Sequence, residues 1–474
     1  MADRAFAAGN GGKKVARLLR RIVFWGLLAL VALAPLPFGS NLPWAWSLLS
    51  LWVGILVVLD AIACLMSPPE GERRFYTRIK IPMILFFIVV AWIIVQATPG
   101  IVPAIAHPIW AEASAQLGIE LAPRVTIAPD LTWDALMVLL AYAGVFWLSA
   151  RYGRKRENAS TMLKFFVLVS TVYAVYGLIV YFGGWETVFW YDKTAYRGDL
   201  TSTFINRNSY ATYAAIGLVA SLVYLVKILA RDFRDGGTAR QITRKMLDGT
   251  LVSAWLPLVG VLTTGTALML THSRAGFVSG MIGVFVALLC FRFSKMVSPR
   301  FGNVMIAGAV LLAVGGFAIS GAGLEKRFEY LEGDQQLRLH LYDAVAAAGT
   351  QALSTGYGYG TFEPGFRPFK DVKLSPLTWS LAHDSYLEFY FGTGFYGFVI
   401  LFVIFLVVFY QVTKAIFVAR KDSVYLIVGT SVMCIVGAHA LTDFSLQIPG
   451  MGITFIFVSA AAFSRMTMAE HGRR

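Results

Sequence analysis

The sequence predicts an all-α, polytopic integral membrane protein of about 12 transmembrane helices, with a large periplasmic loop that contains a surface helix. Three observations predict it. Hydrophobic residues make up 57% of the 474 residues and charged residues only 14%, a balance that fits a water-exposed surface badly. Apolar runs of roughly 17 to 25 residues recur along the whole chain, the length an α-helix needs to cross a hydrocarbon core about 30 Å thick. Most of the 41 Lys and Arg residues gather in alternate loops, as expected where cytoplasmic segments retain positive charge.

Taken in order, the predicted spans are 22–38, 44–66, 81–97, 132–150, 162–182, 209–230, 252–271, 274–291, 303–321, 384–410, 423–440 and 448–464. The first follows a basic segment (Lys13, Lys14, Arg17, Arg20, Arg21) and is read as a retained helix. Pro35, Pro37 and Phe38 stand where a signal peptide would carry small residues, and a second span follows at once. Residues 1–21 are then a cytoplasmic segment, 22–321 carry helices 1–9, 322–383 form the large periplasmic loop, 384–464 carry helices 10–12 and 465–474 are a cytoplasmic tail.

Three basic clusters set this orientation: Arg73, Arg74, Arg78 and Lys80; Arg151, Arg154, Lys155 and Arg156; and Lys227, Arg231, Arg234, Arg240, Arg244 and Lys245. The net charge of +14 therefore reflects topology and contact with anionic membrane lipid, and nucleic acid is not an expected partner. Cys64, Cys290 and Cys434 all fall within or at the ends of spans, so neither a disulfide framework nor a cysteine metal site is supported. No internal repeat is evident, and no matched pair of broken helices marks an inverted-repeat transporter.

The outer loops are unequal: 98–131, 183–208 and, longest, 322–383. A structureless connection of about 60 residues is uncommon unless functional. Within it, residues 335–353 read as an amphipathic helix with Leu337, Leu341, Val345 and Ala348 on one side, expected to lie on the outer membrane surface. The GYGYGTF run then breaks it. That run follows no strand, so its glycines point to tight turning or close backbone approach rather than nucleotide binding.

Five polar stretches at the outer mouth need an explanation, because ionisable groups near a bilayer are costly and usually face a cavity or a partner. In FINRNSYATY, Arg207 lies between Asn206 and Asn208, an arrangement suited either to capping a helix or to holding phosphate oxygens. In LTHSRAGF, His272, Ser273 and Arg274 occupy a short hairpin, where Arg274 either anchors to lipid headgroups or presents a cation to a lipid-linked diphosphate. Arg338 and His340 lie on the loop helix, either solvated or facing the same site. In LAHDSYLEFYFGTGFYGF, His383, Asp384, Tyr386 and Glu388 head a long apolar helix. Asp384 would cap it, and His383, titrating near neutrality, would take a proton from a sugar hydroxyl or serve as a structural hydrogen bonder. In HALTDFSLQIPG, Asp443 would pair with an arginine, orient an acceptor or be solvated. No GxSxG, HExxH or DxD-like pattern occurs in these loops, so neither a metal ion nor another cofactor is expected.

In order, RGDLTSTFINRNSYATY, LTHSRAGF, an Arg-bearing loop helix leading to GYGYGTF, AHDSYLEFYFGTGFYGF and LTDFSLQIP resemble the bacterial O-antigen ligase and Wzy-type polymerase superfamily of membrane glycosyltransferases. The resemblance spans residues 197–450. It implies transfer of a glycan from undecaprenyl diphosphate, at the periplasmic face of the inner membrane, to lipid A core (a ligase) or to a second lipid-linked glycan (a polymerase). It further implies Arg274 and Arg338 as the arginines that hold the diphosphate and His383 as the base, with Arg197, Arg207 and Asp443 placed more loosely. This chain has Asp384 where many relatives carry Asn. A lipid or polysaccharide transporter and a structural subunit of an assembly complex are the readings from other classes.

Overall fold

A computed structural model describes residues 2–68, 73–234, 251–294, 325–419 and 422–469. In chain order its helices are α1 (Ala2–Leu33), α2 (Pro43–Met66), α3 (Arg73–Ala97), α4 (Ile109–Leu117), α5 (Pro129–Tyr152), α6 (Arg156–Phe182), α7 (Arg207–Arg234), α8 (Leu251–Leu270), α9 (Arg274–Phe293), α10 (Glu325–Gln351), α11 (Phe362–Phe366), α12 (Ser385–Ile416), α13 (Ser423–His439) and α14 (Pro449–Ala469).

Among the described residues nine helices are long and apolar enough to cross a membrane: α2, α3, α5 to α9, α12 and α14. The fold is an all-α polytopic membrane protein, and the expected count of twelve is not reached here. Helix α1 stops at Leu33 because Pro35 and Pro37 follow, and it carries Arg17, Arg20 and Arg21 in its first half. Helix α13, at 17 residues, is short. The expected span 303–321 and the distal part of the third basic cluster lie outside the described residues.

Helices α7 and α14 form the interior and are mostly buried, whereas α12 is largely exposed. Small residues explain the difference. The stretches YATYAAIGLVAS and GMGITFIFVSAAAF let backbones approach closely, and a side chain at Gly283 or Gly429 would overlap Ile435 or Ala462. On the outer helices Leu51, Ile55, Phe87 and Val172 are exposed, as expected where lipid replaces water.

At the end carrying the basic clusters, buried carboxylates pair with them. Asp60 lies 3.3 Å from Arg151 and accepts from the Tyr152 hydroxyl at 3.0 Å. Asp422 holds Arg465 at 2.8 Å, and Arg465 also reaches the Arg154 carbonyl. The opposite end carries the long loops. Residues 183–208 hold a two-stranded antiparallel hairpin, β1 (Thr187–Val188) and β2 (Tyr191–Asp192), which the periodicity of the sequence does not announce.

The large loop builds a core from Leu341, Val345, Ala348, Tyr357, Phe362, Phe366, Leu374, Trp379 and Ala382, closed by Phe391 of α12. The apolar stripe expected on α10 is present, but it does not lie on a membrane surface. The aromatic residues that follow it cover it instead, with Tyr357 stacked on Phe391 at 4.5 Å. The GYGYG turn runs against α12. Gly356 and Gly358 have φ of 64° and 109°, and a side chain at Gly356 would overlap the Gly392 carbonyl. Helix α12 is itself broken at Gly394 (φ 73°, ψ 173°), a broken helix that the sequence reading did not anticipate. The freed carbonyls are met from α3: Gln96 donates to Gly392 (2.9 Å) and the Trp92 indole to Thr393 (2.9 Å), while Gln96 also donates to Thr355 of the facing loop (2.7 Å).

Candidate functional site

At the loop end, α7 starts where Asn206 caps it: the Asn206 side-chain oxygen accepts from the Asn208 backbone N–H at 2.7 Å. Arg207, the first residue of the helix, is held rather than loose. Its guanidinium donates to Asp199 at 2.6 Å and stands 5.5 Å over the Tyr196 ring. The second oxygen of Asp199 meets Nδ1 of His272 at 2.8 Å. Arg197 is exposed and turns back on the Lys193 carbonyl at 3.0 Å. Lys193 is buried, with Nζ on the Asp199 carbonyl at 2.8 Å and 3.7 Å from Glu186, and burial lowers its pKa.

Helix α9 begins in the LTHSRAGF turn, where Ser273 accepts from the Gly276 N–H at 3.2 Å. Arg274 follows at the first helical position, exposed, and makes no hydrogen bond or ion pair among the described residues. A side chain at Gly276 would overlap Ala211, so this turn lies directly on the first turns of α7. Arg274 thus projects beside the N-termini of two helices, whose unpaired N–H groups favour an anion.

At the first turn of α7 a buried polar knot begins. Asn208 donates to Asp443 at 3.2 Å, Ser445 donates to the other Asp443 oxygen, and Thr212 joins His439 Nδ1 at 2.8 Å. His439 Nδ1 lies 3.9 Å from Asp443, and the two side chains are 1% and 0% exposed. Asp443 is therefore buried rather than solvated, and among the described residues its partners are Asn208, Ser445 and His439 rather than an arginine, in contrast to two of the three expectations for it. The knot extends to α12 through Ser385, whose hydroxyl donates to the Asp443 carbonyl at 3.0 Å and whose N–H donates to Ala440 at 2.8 Å.

Asp384 caps α12, accepting from the N–H groups of Tyr386 (2.8 Å) and Leu387 (2.9 Å). Burial raises its pKa, and those two donors act in the opposite sense. His383 has φ 56°, and its ring packs on Phe444 at 4.7 Å and Trp379 at 5.6 Å. The His383 carbonyl accepts from the Tyr342 hydroxyl at 2.9 Å, and Arg338 precedes Tyr342 by one turn on the same face of α10. Tyr386 uses its hydroxyl to bind the Gly437 carbonyl at 2.9 Å, which ties α12 to α13. His340 pairs with Asp371 at 2.6 Å.

Asn208 is hydrogen-bonded to Asp443, whose carbonyl holds Ser385 and whose neighbour Phe444 packs on the His383 ring; Arg207 precedes Asn208 on α7, Arg274 opens the α9 that lies on α7, and Arg338 stands one turn before Tyr342. Arg197 stays with the hairpin, and the side-chain oxygen of Asn206 serves as a cap. Sequence reasoning missed Asp199, Tyr342 and His439. The spacing of His439 and Asp443 by four residues within one quoted segment was a usable signal, while Asp199 carried none. Residues 259–402 match the family model Wzy_C, described as O-Antigen ligase, a stretch that includes Arg274, Arg338, His383 and Tyr386. No curated protein matches the chain.

Proposed function

We propose, from the match of residues 259–402 to the O-antigen ligase family model, that this chain moves a glycan from undecaprenyl diphosphate to a hydroxyl of lipid A core at the periplasmic face of the inner membrane. The observation that carries the reading is Arg274: an exposed cation without a partner among the described residues, at the loop end, inside the matched segment. A guanidinium left unpaired beside two helix N-termini suits an anionic ligand.

In this reading Arg274, Arg338 and Arg207 hold the diphosphate. His383 takes the proton of the acceptor hydroxyl as its oxygen forms the bond to the anomeric carbon. The bond from that carbon to the phosphate oxygen breaks on the opposite side, and its electron pair leaves on undecaprenyl diphosphate, with inversion. The arginines stabilise the charge that builds on the departing phosphate in a partly dehydrated pocket. The diphosphate already activates the sugar, so the reading assigns neither a nucleotide nor a metal ion to the step. Asn208, Asp443 and Tyr386 keep α7, α12 and α13 in register around the site.

The test is transfer by purified protein in detergent, with undecaprenyl-diphosphate glycan as donor and either lipid A core or a second lipid-linked glycan as acceptor. Product on lipid A core is expected. Product only on the second lipid-linked glycan reassigns the chain as a polymerase, and product on neither overturns both.

A further inference from the structure

Asp199 saturates both its oxygens at the rim of the site, one on Arg207 at 2.6 Å and the other on His272 Nδ1 at 2.8 Å. A carboxylate only accepts, so Nδ1 of His272 carries the hydrogen and Nε2 is the nitrogen turned to other work. The carboxylate side chain is 13% exposed and the imidazole 37%, so the ring is anchored from beneath and open above. His272 is also held in the left-handed region, φ 50°, between the end of α8 and the cap of α9; such a conformation persists when its surroundings over-determine it. Docking of the hairpin segment does not require this pair, because the Leu200 N–H already bonds the Leu270 carbonyl at 3.0 Å.

We infer that His272, oriented by Asp199, is a second functional imidazole of the site, which donates an Nε2–H hydrogen bond to the diphosphate of the lipid-linked donor beside Arg207 and Arg274. This rests on the function proposed above. Asp199 is a positioning residue: it fixes the ring and the Arg207 guanidinium with one carboxylate, as second partners of working imidazoles do elsewhere. The charged groups of residues 183–206 are Glu186, Asp192, Lys193, Arg197 and Asp199, and Arg207 and Arg274 open α7 and α9. As an imidazolium the ring donates to phosphate from Nε2 while Nδ1–H stays on Asp199.

Two measurements on the full-length protein test it. The first is binding of undecaprenyl diphosphate alone, which reads the contact whether or not glycan is transferred. Loss of one charge-assisted hydrogen bond predicts binding about tenfold to a hundredfold weaker for His272→Ala. Asp199→Asn is expected to be intermediate. The second is donor KM against acceptor KM in the transfer assay, where only the donor value should move, with partial rescue by His272→Gln. Unchanged binding in His272→Ala overturns the inference. So does equal affinity of wild type and variant for undecaprenyl diphosphate alongside weaker association of the variant with anionic vesicles, which would assign the ring to bilayer headgroups. Failure of the wild type to transfer glycan while the binding difference stands would sink the proposed reaction and leave this contact intact.

Discussion

Arg274 and Asp443 show two ways a charged side chain is accommodated at the loop end. Arg274 has no partner among the described residues to lose, so Arg274→Ala should leave unfolding within about 0.5 kcal/mol of the wild type. Its glycan transfer should nevertheless fall by about a hundredfold or more, as for removal of one donor to a developing anion. Asp443 is fully buried and serves Asn208 and Ser445. Asp443→Ala strands both donors and should cost about 1–3 kcal/mol, read by thermal unfolding in detergent, with Asp443→Asn milder. A mutant pair with these signatures exchanged would contradict the assignment of roles. Arg274, Arg338 and His383 could be singled out in the sequence because polar groups stand out against apolar helices. The carboxylate that organises the rim could not, because Asp199 meets His272 across 73 residues and nothing local marks that pairing.

At the scale of elements, the apolar stripe of α10 was legible, since Leu341, Val345 and Ala348 recur at helical spacing. What covers it was not, because a stripe looks the same whether lipid or Phe391 lies opposite. The break in α12 was hidden for a related reason: GTG within a long apolar run reads as continuous helix until Gln96 and Trp92 are seen to meet its open carbonyls. Gln96→Leu should therefore destabilise the loop and the α12 break together, by about 1–3 kcal/mol for the buried carbonyls left without donors; unfolding monitored by tryptophan fluorescence measures it. The loop also carries a pH-sensitive clasp. The hydrogen bond from His340, followed by the Leu374 N–H, lowers the pKa of Asp371 below its usual value. A depressed folded-state pKa gives stability that is present above the unfolded value of about 3.9 and lost as pH falls through the folded one. Hydrogen exchange at the Lys373 and Leu374 amides, both bonded to Asp371, should accelerate only in that acidic window, and Asp371→Asn should abolish the dependence.

For the whole molecule, hydropathy and the alternation of basic loops were enough to read an all-α membrane protein. Among the described residues nine of the twelve expected spans have the length and apolarity of a crossing; α1 stops before Pro35, α13 has 17 residues, and 303–321 lies outside the described residues. The orientation inferred from the basic clusters predicts that a cysteine at Val372, which is 90% exposed in the large loop, is labelled by an impermeant maleimide in cells with a permeabilised outer membrane. A cysteine at the exposed Glu157, beside the second basic cluster, should be labelled only after the inner membrane is opened; the reverse pattern would invert the topology. The central claim is that cations and an imidazole from separate segments converge on one lipid pyrophosphate at the loop end. An electron cryo-microscopy structure with undecaprenyl-diphosphate glycan bound tests it most directly. The account predicts the diphosphate in contact with Arg274 and Arg338, with the anomeric carbon facing His383; diphosphate density at the end carrying Arg151 and Arg465, or remote from Arg274, would contradict it.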